Sequence, residues 1–90
     1  MRGVASQSPI VTIVDARGLA CPLPLTMAKR RMAELSAGET LVVLATDPEA
    51  SIDLGAWAEE EGHWFTERQL QGWTEFEVQK AEKQTSSRQN

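Results

Sequence analysis

The chain carries one cysteine, Cys21, in the stretch Gly18-Leu19-Ala20-Cys21-Pro22-Leu23-Pro24. An unpaired cysteine is either a small buried apolar residue or a reactive thiol. One cysteine excludes an internal disulfide framework and a Cys-x-x-Cys redox pair. With one histidine beside it, a Cys/His zinc site cannot be built, so neither metal nor cofactor is expected. His63 falls where a strand begins, with no pair of residues to orient it. It reads as a structural polar residue rather than as the base of a cysteine-protease arrangement. Relay chemistry remains: a single exposed thiolate attacks a persulfide or disulfide of another protein and then releases to the next acceptor.

The elements around the cysteine favour the reactive reading. Ile10 to Val14 is β-branched throughout and reads as a strand covered on both faces, internal to a sheet. Asp15 to Gly18 ends it, with Gly18 marking a turn. Pro22 to Leu35 reads as a helix with Leu25, Ala28, Met32 and Leu35 on one face, and Gly38 suits its left-handed C-terminal cap. With Pro22 at the first helical position, Cys21 becomes the N-cap. Pro24 lies in the same turn, and the two prolines stiffen the helix start. The partial positive charge there favours a thiolate, and such cysteines titrate from about 8.5 downwards. The prolines remove N–H groups that would bond the sulfur, so the expectation is a moderately activated thiol.

Further along, Thr40 to Ala45 is the most apolar run and reads as a strand in the sheet interior. Asp47 at an N-cap and Pro48 after it start a second helix that runs to about Glu61, with Ile52, Ala56 and Trp57 toward the core and Gly62 closing it. His63 to Gln69 is a third strand and Gln71-Gly72 a turn. Trp73 to Lys80 is a fourth strand with Thr74, Phe76 and Val78 on one side. The order β-α-β-α-β-β gives one parallel pair joined by a right-handed crossover, then an antiparallel hairpin. The expected fold is an α/β (α+β) two-layer sandwich: a mixed four-stranded sheet with two helices on one face. Residues 1–8 read as a flexible leader, 9–80 as the domain and 81–90 as a disordered polar tail.

Ninety residues suffice for one domain. No apolar run is long enough to span a membrane, and Met1 to Pro9 has no apolar core of a signal peptide, which places the chain in the cytoplasm. The net charge of −4 argues against direct contact with nucleic acid. Lys29, Arg30 and Arg31 form a basic cluster on the first helix, read as a solvated face or as a dock for an acidic patch on a partner. Arg17 lies near the cysteine. Asp47 is a helix cap that also comes near the sulfur if both helix starts share one sheet edge, where it would raise the thiol pKa. Trp57, Trp64 and Trp73 supply packing area.

The stretch Leu19-Ala20-Cys21-Pro22-Leu23-Pro24 resembles the Cys-Pro-x-Pro signature of the TusA/SirA-like sulfur-carrier family. Asp15-Ala16-Arg17-Gly18-Leu19 precedes the cysteine at the family's spacing, and Ala45-Thr46-Asp47-Pro48 follows the second strand. Ile52-Asp53, Trp57, Gly62-His63 and Phe76 to Lys80 come in the family's order, so the likeness covers Ile10 to Lys80. It implies the same two-layer sandwich and a persulfide carried on Cys21, with Pro22, Pro24, Gly18 and Leu19 as scaffold. It implies a cysteine desulfurase or rhodanese-type donor and a protein acceptor serving transfer-RNA thiolation, molybdenum-cofactor maturation or sulfur oxidation. A carrier of this kind is expected to be monomeric between transient dockings. Gly55 departs from the family, in which proline is common after the Ile-Asp-x segment. Two function classes follow: a persulfide sulfurtransferase, or a non-catalytic interaction module with a redox-sensitive thiol. An enzyme acting directly on thiosulfate is a weaker third reading, since only Arg17 would meet that anion.

Overall fold

The computed structural model describes residues 11–81. The proposed leader and the tail beyond Ala81 lie outside the described residues. The elements are β1 (Val11–Ala16), α1 (Leu23–Met32), β2 (Thr40–Ala45), α2 (Ala50–Glu61), β3 (Trp64–Gln69) and β4 (Thr74–Gln79). The sheet order is β1-β2-β4-β3, with β1 parallel to β2 and the other pairs antiparallel. Both helices cover one face, as expected of a two-layer sandwich.

Alternation in the strands and the helix period bring one core together. Val14 and Ala16 of β1, Leu41, Val43 and Ala45 of β2, and Phe76 and Val78 of β4 face Ala28 and Met32 of α1 and Leu54, Trp57 and Ala58 of α2. Leu25 and Leu35 pack against this core from its rim, which agrees with the face read from the sequence. The N–H-free Pro24 is also buried, tying the start of α1 to the sheet.

Four expectations are corrected. β1 is an edge strand and not an internal one: Val11 and Ile13, 50% and 62% exposed, point to the open face. A β-branched run signals a strand, but with helices on one face only, just Val14 and Ala16 find a core. Second, α1 stops at Met32, where the chain tightens into i→i+3 bonds from Glu34 N–H to the Arg31 carbonyl and from Leu35 N–H to the Met32 carbonyl. Third, Gly38 does not cap α1. Its φ of +89° serves the turn into β2, and the carbonyls of Met32 and Leu35 accept instead from Lys80 Nζ at 3.1 and 2.6 Å. Fourth, Ile52 and Ala56 face solvent, Ile52 at 72%, while Leu54, Trp57 and Ala58 are buried. Alternative helical faces through the small apolar residues of α2 are nearly equivalent in sequence, and the register chosen sinks Leu54 completely. Gly62 closes α2 in the left-handed region, as expected.

Gly55 lies inside α2 with an ordinary negative φ, and a Cβ added there would meet only the Phe65 ring at 3.5 Å, a normal contact. Gly55→Ala is therefore expected to stabilise the domain by about 0.5–1 kcal/mol, seen as a raised urea midpoint at unchanged m.

Candidate functional site

The site forms at the C-terminal ends of the parallel pair, where Ala16 of β1 lies opposite Ala45 of β2. The chain leaving β1 leads to Cys21 and α1, and the chain leaving β2 leads to Asp47 and α2. Ligand sites of open α/β sheets commonly form at this end. Two side chains after β2 hold the loop after β1: Thr46 Oγ1 accepts the Gly18 N–H at 2.9 Å, and Asp47 Oδ2 accepts the Cys21 N–H at 2.6 Å. Gly18 has a φ of +83°, a conformation that side chains other than glycine rarely take. Leu19 is half-buried against the core, which fixes the loop from below.

Asp47 does double work. Its Oδ1 accepts the Glu49 N–H at 2.9 Å while its carbonyl accepts the Ala50 N–H at 3.0 Å. It thus caps the turn Pro48-Glu49 just ahead of α2, and the regular helix starts two residues later than the sequence suggested. Its second oxygen is left for Cys21. Cys21 likewise stands one residue farther from α1 than expected, because Pro22 is the N-cap and Leu23 the first helical residue. The Leu23 N–H is spent on the Ala20 carbonyl at 2.9 Å and Pro24 has none, so the start of α1 offers the sulfur little.

The thiol turns instead to α2. Cys21 Sγ donates to Asp53 Oδ2 at 3.0 Å, and Asp53 lies in the first turn of that helix. This contact overturns the expectation of an activated thiolate. The thiol is pushed up to about 11, chiefly because Asp53 accepts its proton; lost solvation adds to this, as do the negative charges of Asp53, Glu49 and Asp47. Cys21 itself is exposed, so the carboxylate and not burial dominates. Asp47 does raise the thiol, as foreseen, but as the smallest of these causes.

Arg17 is held by Asp15, with Nε to Oδ1 and Nη2 to Oδ2 both at 2.8 Å, and its guanidinium lies 4.9 Å from the Trp73 ring centre. Asp15 is lowered to about 2 by this pairing. Trp73, with Thr46, Asp47, Ser51 and Glu67, lines a shallow groove of about 450 Å³ beside the cysteine loop. Its indole N–H is buried and makes no hydrogen bond among the described residues. Lys29, Arg30 and Arg31 are exposed in the last turn of α1, so the structure separates them from the sulfur by most of that helix. Arg31 pairs with Glu34 at 3.4 Å. His63 is structural: its Nδ1 accepts the Ala81 N–H at 2.9 Å, its ring meets Trp57 edge-on, and burial lowers its pKa. No group of three or more metal-ligating side chains occurs among the described residues. None of the helices there is long and apolar enough to cross a membrane.

Asp53 was missed as a site residue. Its signal was present: an acid in the first turn of a helix whose start must share a sheet edge with Cys21.

Comparison with known proteins points the same way. The family described as Sulfurtransferase TusA matches residues 12–80. The putative sulfur carrier protein YrkI of Bacillus subtilis is 45% identical over 60 residues, 67% of this chain and 80% of that one. YrkF of the same organism, also a putative sulfur carrier protein, is 45% identical over 60 residues, but this chain spans only 32% of its length. The sulfur carrier protein TusA of Allochromatium vinosum is 41% identical over 59 residues, 66% of this chain and 78% of that one. The crystal structure of a SirA-like protein from Desulfitobacterium hafniense superposes with a TM-score of 0.71 at 29% identity, covering 81% of this chain and all of that one. A family match across nearly all the described residues, together with the shared fold, makes this chain a sulfur carrier of the TusA sulfurtransferase family.

Proposed function

We propose that Cys21 accepts sulfane sulfur as a persulfide from a cysteine desulfurase or rhodanese-type protein and hands it to a protein acceptor. The observation that carries this reading is an exposed thiol whose backbone is pinned by Asp47 while its sulfur stays on the surface. The alternative of a non-catalytic interaction module with a redox-sensitive thiol gives no reason for such an anchor. Direct turnover of thiosulfate finds no support, because Arg17 is committed to Asp15 and Trp73. In the relay, the nucleophilic sulfur of Cys21 bonds to the outer sulfur of the donor persulfide. The donor's S–S bond breaks, its thiol leaves with a proton, and Cys21 keeps the persulfide without any net oxidation.

Partner surfaces flank the sulfur. Leu23 at the start of α1 and Ile52 in the first turn of α2 are 47% and 72% exposed. Apolar side chains beside a reactive group suit a transient protein contact. Lys29, Arg30 and Arg31 offer a second, electrostatic contact about 10 Å farther along α1. The carrier works as a monomer in the cytoplasm without touching nucleic acid, and the route it serves is transfer-RNA thiolation, molybdenum-cofactor maturation or sulfur oxidation.

The test is intact mass after incubation with a cysteine desulfurase and free cysteine. The native chain is expected to gain one sulfur atom and Cys21→Ser none. A native chain that stays unmodified refutes the carrier reading and leaves the interaction module.

A further inference from the structure

We infer that Asp53 is a specificity-determining residue of the sulfur-transfer step: it withholds the Cys21 nucleophile from free electrophiles and yields it to donor proteins that bring a cationic side chain to its carboxylate. The inference rests on the proposal that Cys21 carries sulfur.

Three observations support it. The Sγ proton is directed at Asp53 Oδ2 at 3.0 Å, so attack by sulfur requires this contact to open. The charges acting on the thiol are Asp53 of α2 and, ahead of that helix, Glu49 and Asp47, all negative. The N–H groups at the start of α1 that would steady a thiolate are spent at Leu23 and lacking at Pro24. Two of the first three positions of α1 thus give the thiolate no N–H, and the charges around it are negative, so a cation brought from outside is what the site lacks. Asp53 is also open to such a partner: it is half-buried and, among the described residues, pairs with no cation, unlike Asp15, Glu34 and Glu75. A lysine or arginine of the donor that pairs with Asp53 would free the sulfur where the donor persulfide waits.

The step balances without an oxidant. Cys21 gives its proton to solvent and Sγ attacks the outer sulfur of the donor R–S–SH. The new Sγ–S bond forms as the donor S–S bond breaks. The electron pair leaves on the inner sulfur of the donor, which takes a proton to become R–SH.

The experiment compares native protein with Asp53→Asn in three reactions at pH 7.5: alkylation by iodoacetamide, loading from inorganic polysulfide, and loading from a cysteine desulfurase with free cysteine. If the thiol returns to its ordinary range, the thiolate fraction rises about a hundredfold and reduced nucleophilicity takes back about tenfold. Alkylation and polysulfide loading are then expected to be about tenfold faster. Protein loading is expected to gain far less, so the ratio of protein to polysulfide loading falls. Glu49→Gln removes a neighbouring charge without the hydrogen bond and is expected to change alkylation less than Asp53→Asn. Alkylation within twofold of native, both loading routes rising in step, or a Glu49→Gln effect equal to that of Asp53→Asn would each overturn the inference. Circular dichroism checks folding, and Asp53→Ser takes the place of an Asn variant that does not fold. A native chain that gains sulfur from neither donor overturns the carrier reading itself. An adduct on the native chain with an unchanged ratio defeats only the role of Asp53.

Discussion

Alkylation of native Cys21 is expected to accelerate about tenfold per pH unit from about pH 7 to about pH 10, a thousandfold in all, with no plateau. The sign follows from which form the site favours. The neutral thiol donates to Asp53 Oδ2, whereas the thiolate would face that carboxylate as a like charge, with Glu49 and Asp47 behind it. With the thiol held up to about 11, thiolate is the minor form across this whole range and grows in proportion to hydroxide. An unperturbed cysteine would level off near pH 8.5. One activated by its own helix start would level off below about pH 7.5. The measurement is the second-order rate with iodoacetamide at a series of pH values, with the fold checked at each by circular dichroism. A plateau below about pH 9 would show that the Asp53 contact does not govern the thiol in solution. The linkage has the matching sign. Because the folded thiol titrates above its unfolded value, the contact contributes stability below about pH 8.5. That contribution is lost as pH rises toward about 11.

The same contact shows where sequence reasoning reached its limit. The strand and helix periods were legible because each element buries one face: Leu41 and Val43, Phe76 and Val78, Ala28 and Met32 all lie where alternation or the helical repeat puts them. The strand–helix–strand order even implied that Cys21 and Asp47 would meet at one sheet edge, and Asp47 Oδ2 does hold the Cys21 N–H. Reading the cysteine from its own helix alone gave the wrong sign for its acidity. Its electrostatics come chiefly from Asp53 of α2, 32 residues away along the chain, and depend on which face of α2 turns inward. That face was misjudged. Ile52 looked like a core residue, yet Leu54 and Ala58 fill the core, and this rotation leaves Ile52 exposed and Asp53 beside the sulfur. The edge position of β1 was illegible for a related reason: β-branched residues favour a strand equally well on a covered or an open face.

Phe76→Ala is expected to cost about 3–5 kcal/mol, a large share of the roughly 5–15 kcal/mol that holds a domain together. Phe76 is 1% exposed, lies in β4 between β2 and β3, and stacks on Phe65 with ring centres 5.9 Å apart. Opposite it in register stand Val43 of β2 and Glu67 of β3, and Leu54 of α2 shares its core cluster. Removing the ring leaves a cavity under the helix that presents Asp53. Urea unfolding followed by tryptophan fluorescence should show a much lower midpoint at a similar m, and Phe76→Leu should recover most of the loss. A change below about 1 kcal/mol would mean that the helix layer is not seated on β4 through this ring. The variant also separates packing from chemistry at the site. If the Cys21–Asp53 contact depends on how firmly α2 is seated, Phe76→Ala should speed iodoacetamide alkylation even below its unfolding transition. Asp53→Asn should do so with little change in the urea midpoint. The thiol would then be guarded by two separable things, a carboxylate that accepts its proton and a core that keeps that carboxylate in place.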